Sequence, residues 1–347
     1  MEKNNYVWGP FDAVPLFVSG FNNSFIKLNN ENNFSIFFKD KKLSIVIDNE
    51  TFISFSKEKY DYFLLNSNEI YSNLEKDIQT IQGFEEIVNN GLSRFDDDKF
   101  LSLFSEWVKL FNQFWDNAIL PEFVNLGGKF LLFEKLNNLP DKEEIIKVLS
   151  TSEKLTFEQN QEQEFYSLLF LQNENMFNIM INNHANKYYW FNNNFCSTSI
   201  LPIGFFEEKL KNISKEEAKK NLEYLSSYSE NLKQKKDEII KKYNLDDEII
   251  QISNNLSYCD WLNNLKKKYS LLITHINSVF AHEIAIRENL DYDDLLFCSM
   301  DELLVFLKNH ELPNLSQRKN SFLISNNNSK LEYFFEDVAN DKFNTYP

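Results

Sequence analysis

Between Pro202 and Pro313 the chain contains no proline, and apolar residues across that span recur at helical spacing. Proline ends helices because it lacks a backbone N–H and its ring collides with the preceding turn. A span this long without one is expected to fold as a few long helices. Ser214-Lys-Glu-Glu217 reads as a capping box at the start of the first, with Ser214 accepting from the Glu217 N–H and Glu217 reaching back. A charged helix from there to about Tyr243 is expected to face solvent on most sides. Asn244-Leu-Asp-Asp247 breaks it, and a second long helix carries Ile249, Ile252, Leu256, Trp261, Leu262 and Leu265. Leu271 to Ile286 is apolar enough for a buried helix, so the expectation is two antiparallel rods followed by a buried one.

The whole chain is poor in breakers. Seven Gly and seven Pro in 347 residues are too few for a turn-rich β fold, whose short strands need frequent punctuation. The 34 Phe, 15 Tyr and 5 Trp supply the volume of a sizeable core. The predicted fold class is mainly α (α+β), a helical bundle with a small N-terminal β-rich segment and a C-terminal β-hairpin. The expected division is 1–65 for the β-rich segment, 66–312 for the helical domain and 313–347 for the hairpin and tail.

In the first segment, Phe34–Phe38 and Lys42–Ile47 carry β-branched and aromatic residues about a polar turn, and Phe52–Ser56 reads as a third short strand. From Asn66 the period changes to 3.6, with Ile70, Leu74, Ile78 and Ile81 on one face. Asp96-Asp97-Asp98 offers N-caps to a wide apolar stripe from Phe100 to Trp115, and Pro121 and Pro140 mark further helix starts. Gly127-Gly128 is expected to weaken the helix it sits in. Near the end, Ser299-Met-Asp-Glu302 is another capping signature, Pro313 stops helix, and Ser321–Ser325 and Lys330–Phe335 flank an Asn-rich turn as a hairpin. The heavy asparagine load is expected to be absorbed in loops.

Net charge narrows the partners. At −16, the chain opposes the phosphate backbone, so nucleic acid is a poor partner. Cys196, Cys259 and Cys298 are far apart and odd in number, which fits buried thiols in a reducing cytosol better than a disulfide framework. Met1-Glu-Lys-Asn-Asn lacks the apolar run of a cleaved signal, and no uncharged run is long enough to span a bilayer. A cytoplasmic protein without a membrane partner is expected.

Catalytic signatures are absent. His282-Glu283 lacks the second histidine four residues on that a zincin needs, since position 286 is Ile, and no metal is expected. There is no nucleophile elbow, no P-loop and no dinucleotide loop, and Gly127-Gly128 has no Lys-Ser/Thr behind it. Glu162, Glu164 and Glu174 could pair as glycosidase carboxylates, as scattered acids do in any acidic helical protein. The stretch His184–Phe195 is the most unusual. Its four consecutive aromatics, Tyr188, Tyr189, Trp190 and Phe191, cannot all face one way on a helix. Either the helix end packs on two neighbours, or the rings form a ligand wall with Lys187 or Arg287 for an anion. The candidate ligand-binding residues are His184, Lys187, Tyr188, Tyr189, Trp190 and Arg287.

Asn182–Phe195 followed by Phe205–Leu210, with Ala281–Leu290, Asp294–Phe297, Asp301–Leu304 and the basic step Gln317–Phe322, resembles the helical region before the swivelling phosphohistidine domain of PEP-utilising phosphotransferases. That family includes phosphoenolpyruvate synthase-like proteins and rifampin phosphotransferase. The resemblance covers about residues 150–335, and 1–150 more weakly through Trp8-Gly9-Pro10. Neither the phosphohistidine domain nor the ATP-grasp domain of the family is visible, so its catalytic residues have no positions here. The resemblance therefore implies a substrate- or partner-docking module, inactive alone, with no cofactor of its own and working with a small-molecule ligand or a separately encoded phosphotransfer domain. The alternatives are a free-standing enzyme with a helical pocket near Trp190, and an interaction protein whose acidic Ser214–Tyr243 face docks a basic partner.

Overall fold

Both ends of the chain contribute to one antiparallel sheet. β1 (Asn5–Asp12), β2 (Phe34–Lys39) and β3 (Lys42–Asp48) come from the first part, and β4 (Ser321–Asn327) and β5 (Lys330–Phe335) from the last. Their order is β1-β3-β2-β4-β5. The computed structural model describes residues 5–346, and Met1 to Asn4 of the stretch read above for a signal lie outside them. The two hairpins turn on Asp40-Lys41 and Asn328-Ser329, each pair with positive φ. That is the two-residue primed turn whose twist matches its strands. The expected hairpins are present and are joined, with Ile36 opposite Ile324 and Phe38 stacked on Phe322 at 4.6 Å. Strand alternation divides the faces: Phe34, Ile36 and Phe38 enter the main core, while Phe37 meets Leu323 and Ala339 on the other side.

The third strand expected at Phe52–Ser56 does not form. After α1 (Pro15–Leu28), the chain passes through the first hairpin straight into α2 (Asn49–Asn89), whose opening turns hold that segment. Asp48 caps it by accepting from the Thr51 N–H at 2.8 Å. Phe52, Phe55 and Ser56 are buried at helical spacing. A cap and a 3.6 period outweigh the β propensity of a five-residue run, so helix begins at Asn49, ahead of Asn66.

Asp96 caps α3 (Asp97–Ala118), accepting from the Lys99 N–H at 2.9 Å, and the stripe from Phe100 to Trp115 is buried. The glycine pair lies inside an unbroken α4 (Leu120–Lys135) and seats that helix on its neighbours. A Cβ at Gly127 would lie 2.1 Å from Ser56 O, and one at Gly128 would lie 2.5 Å from Leu256 Cδ2. Two helices can approach α4 this closely only where it has no side chain.

α5 (Lys142–Ser150), α6 (Phe157–Ser167), α7 (Glu174–Tyr188) and α8 (Ile203–Lys211) are short. The last three close on a small second core of Phe165, Leu168, Ile181, Tyr188, Phe206 and Leu210. α9 (Lys215–Tyr243) starts where expected, with Ser214 accepting from the Glu217 N–H at 3.1 Å, but the return bond from the Glu217 side chain that would complete the capping box is not made. The next rod and the buried helix expected after it are one element, the 42-residue α10 (Asp247–Glu288). Nothing between its ends breaks a helix, and its burial changes from one face to all sides: Leu272 through Ser278 are buried consecutively. Asn244 and Asn289 end the two rods in the left-handed conformation. Asparagine tolerates that conformation better than most residues, so part of the asparagine load terminates helices rather than filling loops.

α11 (Tyr292–Leu295) leads to α12 (Met300–Asn309), which begins with a complete Ser299/Glu302 capping box. Glu302 also receives both ends of the Arg318 guanidinium, at 2.6 and 2.7 Å, from α13 (Leu315–Asn320). α14 (Glu336–Asn344) covers the outer face of the sheet with Ala339 and Phe343. No helix of the described residues is long and apolar enough to cross a membrane.

Candidate functional site

A cleft of about 800 Å³ opens between β1, the middle of α10 and the loop after α7. Its walls are aromatic: Trp8 and Phe11 from β1, Phe21 from α1, Trp115 from α3, Phe157 from α6, and Phe191 and Phe195 from the loop. Trp8 and Phe11 are three residues apart, and in a regular strand they would face opposite ways. Trp8 pairs with Ile45 and Phe11 with Leu43, so β1 spends three steps where β3 spends two. This bulge at Gly9-Pro10 puts both rings on one face. Only glycine fits at position 9, where φ is +104° and a Cβ would meet Leu43 O at 2.5 Å.

The opposite wall is one stripe of α10, where Asp260, Asn263, Asn264, Lys267, Ser270 and Leu271 recur at helical spacing. The loop is fastened on three sides. Phe195 O accepts from the Val14 N–H at 2.8 Å, the buried Asn193 amide donates to Leu271 O at 3.2 Å, and its oxygen accepts from the Ser199 N–H at 2.8 Å. Asn194 accepts from the Cys196 and Ser197 N–H groups. The Asn192–Asn194 run is thus a hydrogen-bonded turn that holds the wall.

Four carboxylates, Asp12, Glu122, Glu158 and Asp260, and two lysines, Lys266 and Lys267, line the cleft. The lysines are engaged: buried Lys266 with Glu122 and with Asn263 Oδ1 at 3.1 Å, and Lys267 with Glu158. Burial, together with the Glu122 charge, pushes the neighbouring Tyr6 phenol up. Among the described residues, no histidine or cysteine lines the cleft, and its one hydroxyl, Ser270, donates to Lys266 O at 2.8 Å. Among the described lining residues, no nucleophile stands beside a base.

The residues singled out from the sequence separate into three places. His184 is buried among Phe165, Tyr188 and Phe206 and accepts from the Gln161 amide at 2.9 Å. Burial pushes its pKa down to about 4, so it is neutral. Lys187 pairs with Glu164 at 2.6 Å and, with Tyr188, borders a smaller cavity of about 240 Å³ beside Lys268. Tyr189 donates to Glu85 at 2.9 Å, accepts from Asn89 at 3.0 Å and meets buried His275 edge-on. Burial raises the Glu85 carboxyl and the Tyr189 phenol alike. Trp190 is buried in the main core.

Arg287 is not with them. It lies twelve residues along α10 from His275, about 18 Å at helical rise. There its guanidinium binds Asp97, Glu283 and the carbonyls of Leu92 and Phe95, over the Phe100 ring. Three of these four hydrogen bonds tie α10 to the start of α3 and the turn before it. The acidic face expected on Ser214–Tyr243 is also absent. α9 carries eight lysines against six Asp and Glu residues, because its Lys241-Lys242 and Lys233–Lys236 runs outweigh the acids of its first turn.

Sequence spacing did not point to Trp8, Phe21, Trp115, Glu122 or Lys266, which are brought together from five elements. Among the described residues, no group of three or more His, Cys, Asp and Glu converges as a metal site. No protein-family model matches the chain, and no curated protein is significantly similar to it.

Proposed function

We propose that this chain is a small-molecule-docking protein whose ligand lies in the aromatic cleft. The observation that carries the reading is an open volume of about 800 Å³ lined by seven aromatic side chains, beside cores of the same composition that are closed. Concave apolar surface with a few fixed polar groups is the usual form of a ligand site. The docking role also follows the resemblance to the central region of PEP-utilising phosphotransferases, with a separately encoded phosphotransfer domain as the partner. A location in the cytoplasm accords with three free thiols.

A neutral fluorescent probe, N-phenyl-1-naphthylamine, tests this directly. Saturable binding at one site is expected, quenching tryptophan emission from Trp8 and Trp115. Leu271→Trp, which fills the cleft from α10, should abolish binding while leaving the far-ultraviolet circular dichroism unchanged. Equal binding by the Leu271→Trp protein, or no saturable binding by the parent, would refute the proposal.

A further inference from the structure

At the β1 end of the cleft the rings stand nearly at right angles. Trp8 meets Phe21 at 5.5 Å and 80°, and Phe21 meets Trp115 at 5.5 Å and 78°. Phe195 is tilted 54° to Trp115 at 6.3 Å. Edge-to-face pairs are common in closed cores; here Phe21 and Trp115 are buried and Trp8 and Phe195 half-buried, and all four line the cleft. A partial box of ring faces is the arrangement that attracts a positive charge, since each face carries the negative part of the ring quadrupole.

The ionic lining has the matching sign. Four carboxylates against two lysines leave the cleft two charges negative. Both lysines are already held by Glu122 and Glu158. Asp260 has no ion-pair partner among the described residues, and its carboxylate accepts from the Ser152 N–H at 2.8 Å. Asp12 is held loosely, 3.3 Å from an exposed Lys42. An anion entering here would meet spent lysines and unspent carboxylates. The net charge of −16 adds a field that draws cations to the surface.

We propose that this ring box takes the ammonium end of an organic cation, with the rest of the ligand lying along α10. The proposal rests on the docking reading above and names its ligand class. The test compares choline with 3,3-dimethylbutan-1-ol, which has the same shape and no charge, by tryptophan fluorescence at constant ionic strength.

Choline is expected to bind roughly tenfold more tightly than the alcohol, a difference of the size that a desolvated cation–ring contact supplies. Trp8→Leu, at a half-buried position, should lose most of that preference and change alcohol binding little. Asp12→Asn, on the exposed rim, should lower choline affinity severalfold and leave the alcohol unaffected. Thermal unfolding of each variant checks that the fold is kept. Choline binding no tighter than the alcohol, including no binding of either, would overturn the cation assignment while the neutral dye still reports the cleft. Failure of the dye itself would remove the docking reading instead.

Discussion

Gly127→Ala measures how closely α4 lies on α2. The added Cβ would stand 2.1 Å from the Ser56 carbonyl oxygen and 2.5 Å from its carbon. Ordinary contact begins more than 1 Å further out, and the atoms struck are backbone within a helix, so no side-chain tip can swing aside. Overpacking a filled interior costs about 1–3 kcal/mol, and a backbone collision belongs at the upper end. Alanine's higher helix propensity returns about 1 kcal/mol. The net expected loss is about 2 kcal/mol. Gly83 supplies the control: it is exposed in the C-terminal part of α2, and its added Cβ would meet nothing within 4 Å. Only the propensity gain remains there, so Gly83→Ala should stabilise by about 1 kcal/mol. The assay is the urea midpoint at constant m, where the two substitutions should move in opposite directions. Because α4 carries Glu122, Gly127→Ala should also weaken dye binding in the cleft, whereas Gly83→Ala should not. A Gly127→Ala protein as stable as its parent would refute the argument, since the two helices would then have room for a methyl group between them.

Three other perturbations have defined outcomes. Asn277 is fully buried and accepts from Trp107 Nε1 at 2.8 Å, so Asn277→Leu should cost about 1–3 kcal/mol in thermal unfolding; adding Trp107→Phe should restore part of it, because the orphaned donor is then gone. Burial lowers His184 and His275 to about 4, and the unfolded chain binds their protons near 6.5. Their contribution is therefore complete above pH 6.5 and is lost as pH falls toward 4, by roughly 3 kcal/mol each at most, and a His184→Gln/His275→Asn protein should show a flatter fall in urea midpoint between pH 7 and 5. Ser299→Ala removes the side-chain acceptor of the Glu302 N–H and should cost about 1 kcal/mol by urea unfolding, with no change in cleft binding.

Local rules carried much of this fold. Asp96, Ser214 and Ser299 cap helices as their spacing indicates, because a cap is a matter of a few adjacent residues. The hairpin about Asn328 was legible for the same reason. Phe52–Ser56 was not, since a five-residue apolar run has no period of its own and took its state from the Asp48 cap and from α4 against it. Gly127-Gly128 read as a weakness because the two helices that fill the missing volume, at Ser56 and Leu256, are distant in sequence. The aromatic stretch was half legible. Four neighbouring rings did imply two surfaces, yet the buried sides took Tyr188 and Trp190, and the open one took Phe191 with Phe195. Arg287 drew attention as a cation near an apolar helix, although its partners Asp97, Leu92 and Phe95 belong to a distant turn. The cleft itself needed the β1 bulge to turn Trp8 and Phe11 the same way, and bulge registers are decided by pairing.

The pairing of β2 with β4 sets an order of events during synthesis. Ser35 faces Ser325, so the nascent hairpin of β2 and β3 emerges with the β2 edge bare and must wait for nearly three hundred further residues. Until then a row of unsatisfied N–H and C=O groups is open to any passing strand, and neighbouring chains on one messenger would be the nearest candidates. Closure of the sheet is thus a late and long-range step, and the nascent hairpin is where a chaperone would have most to protect.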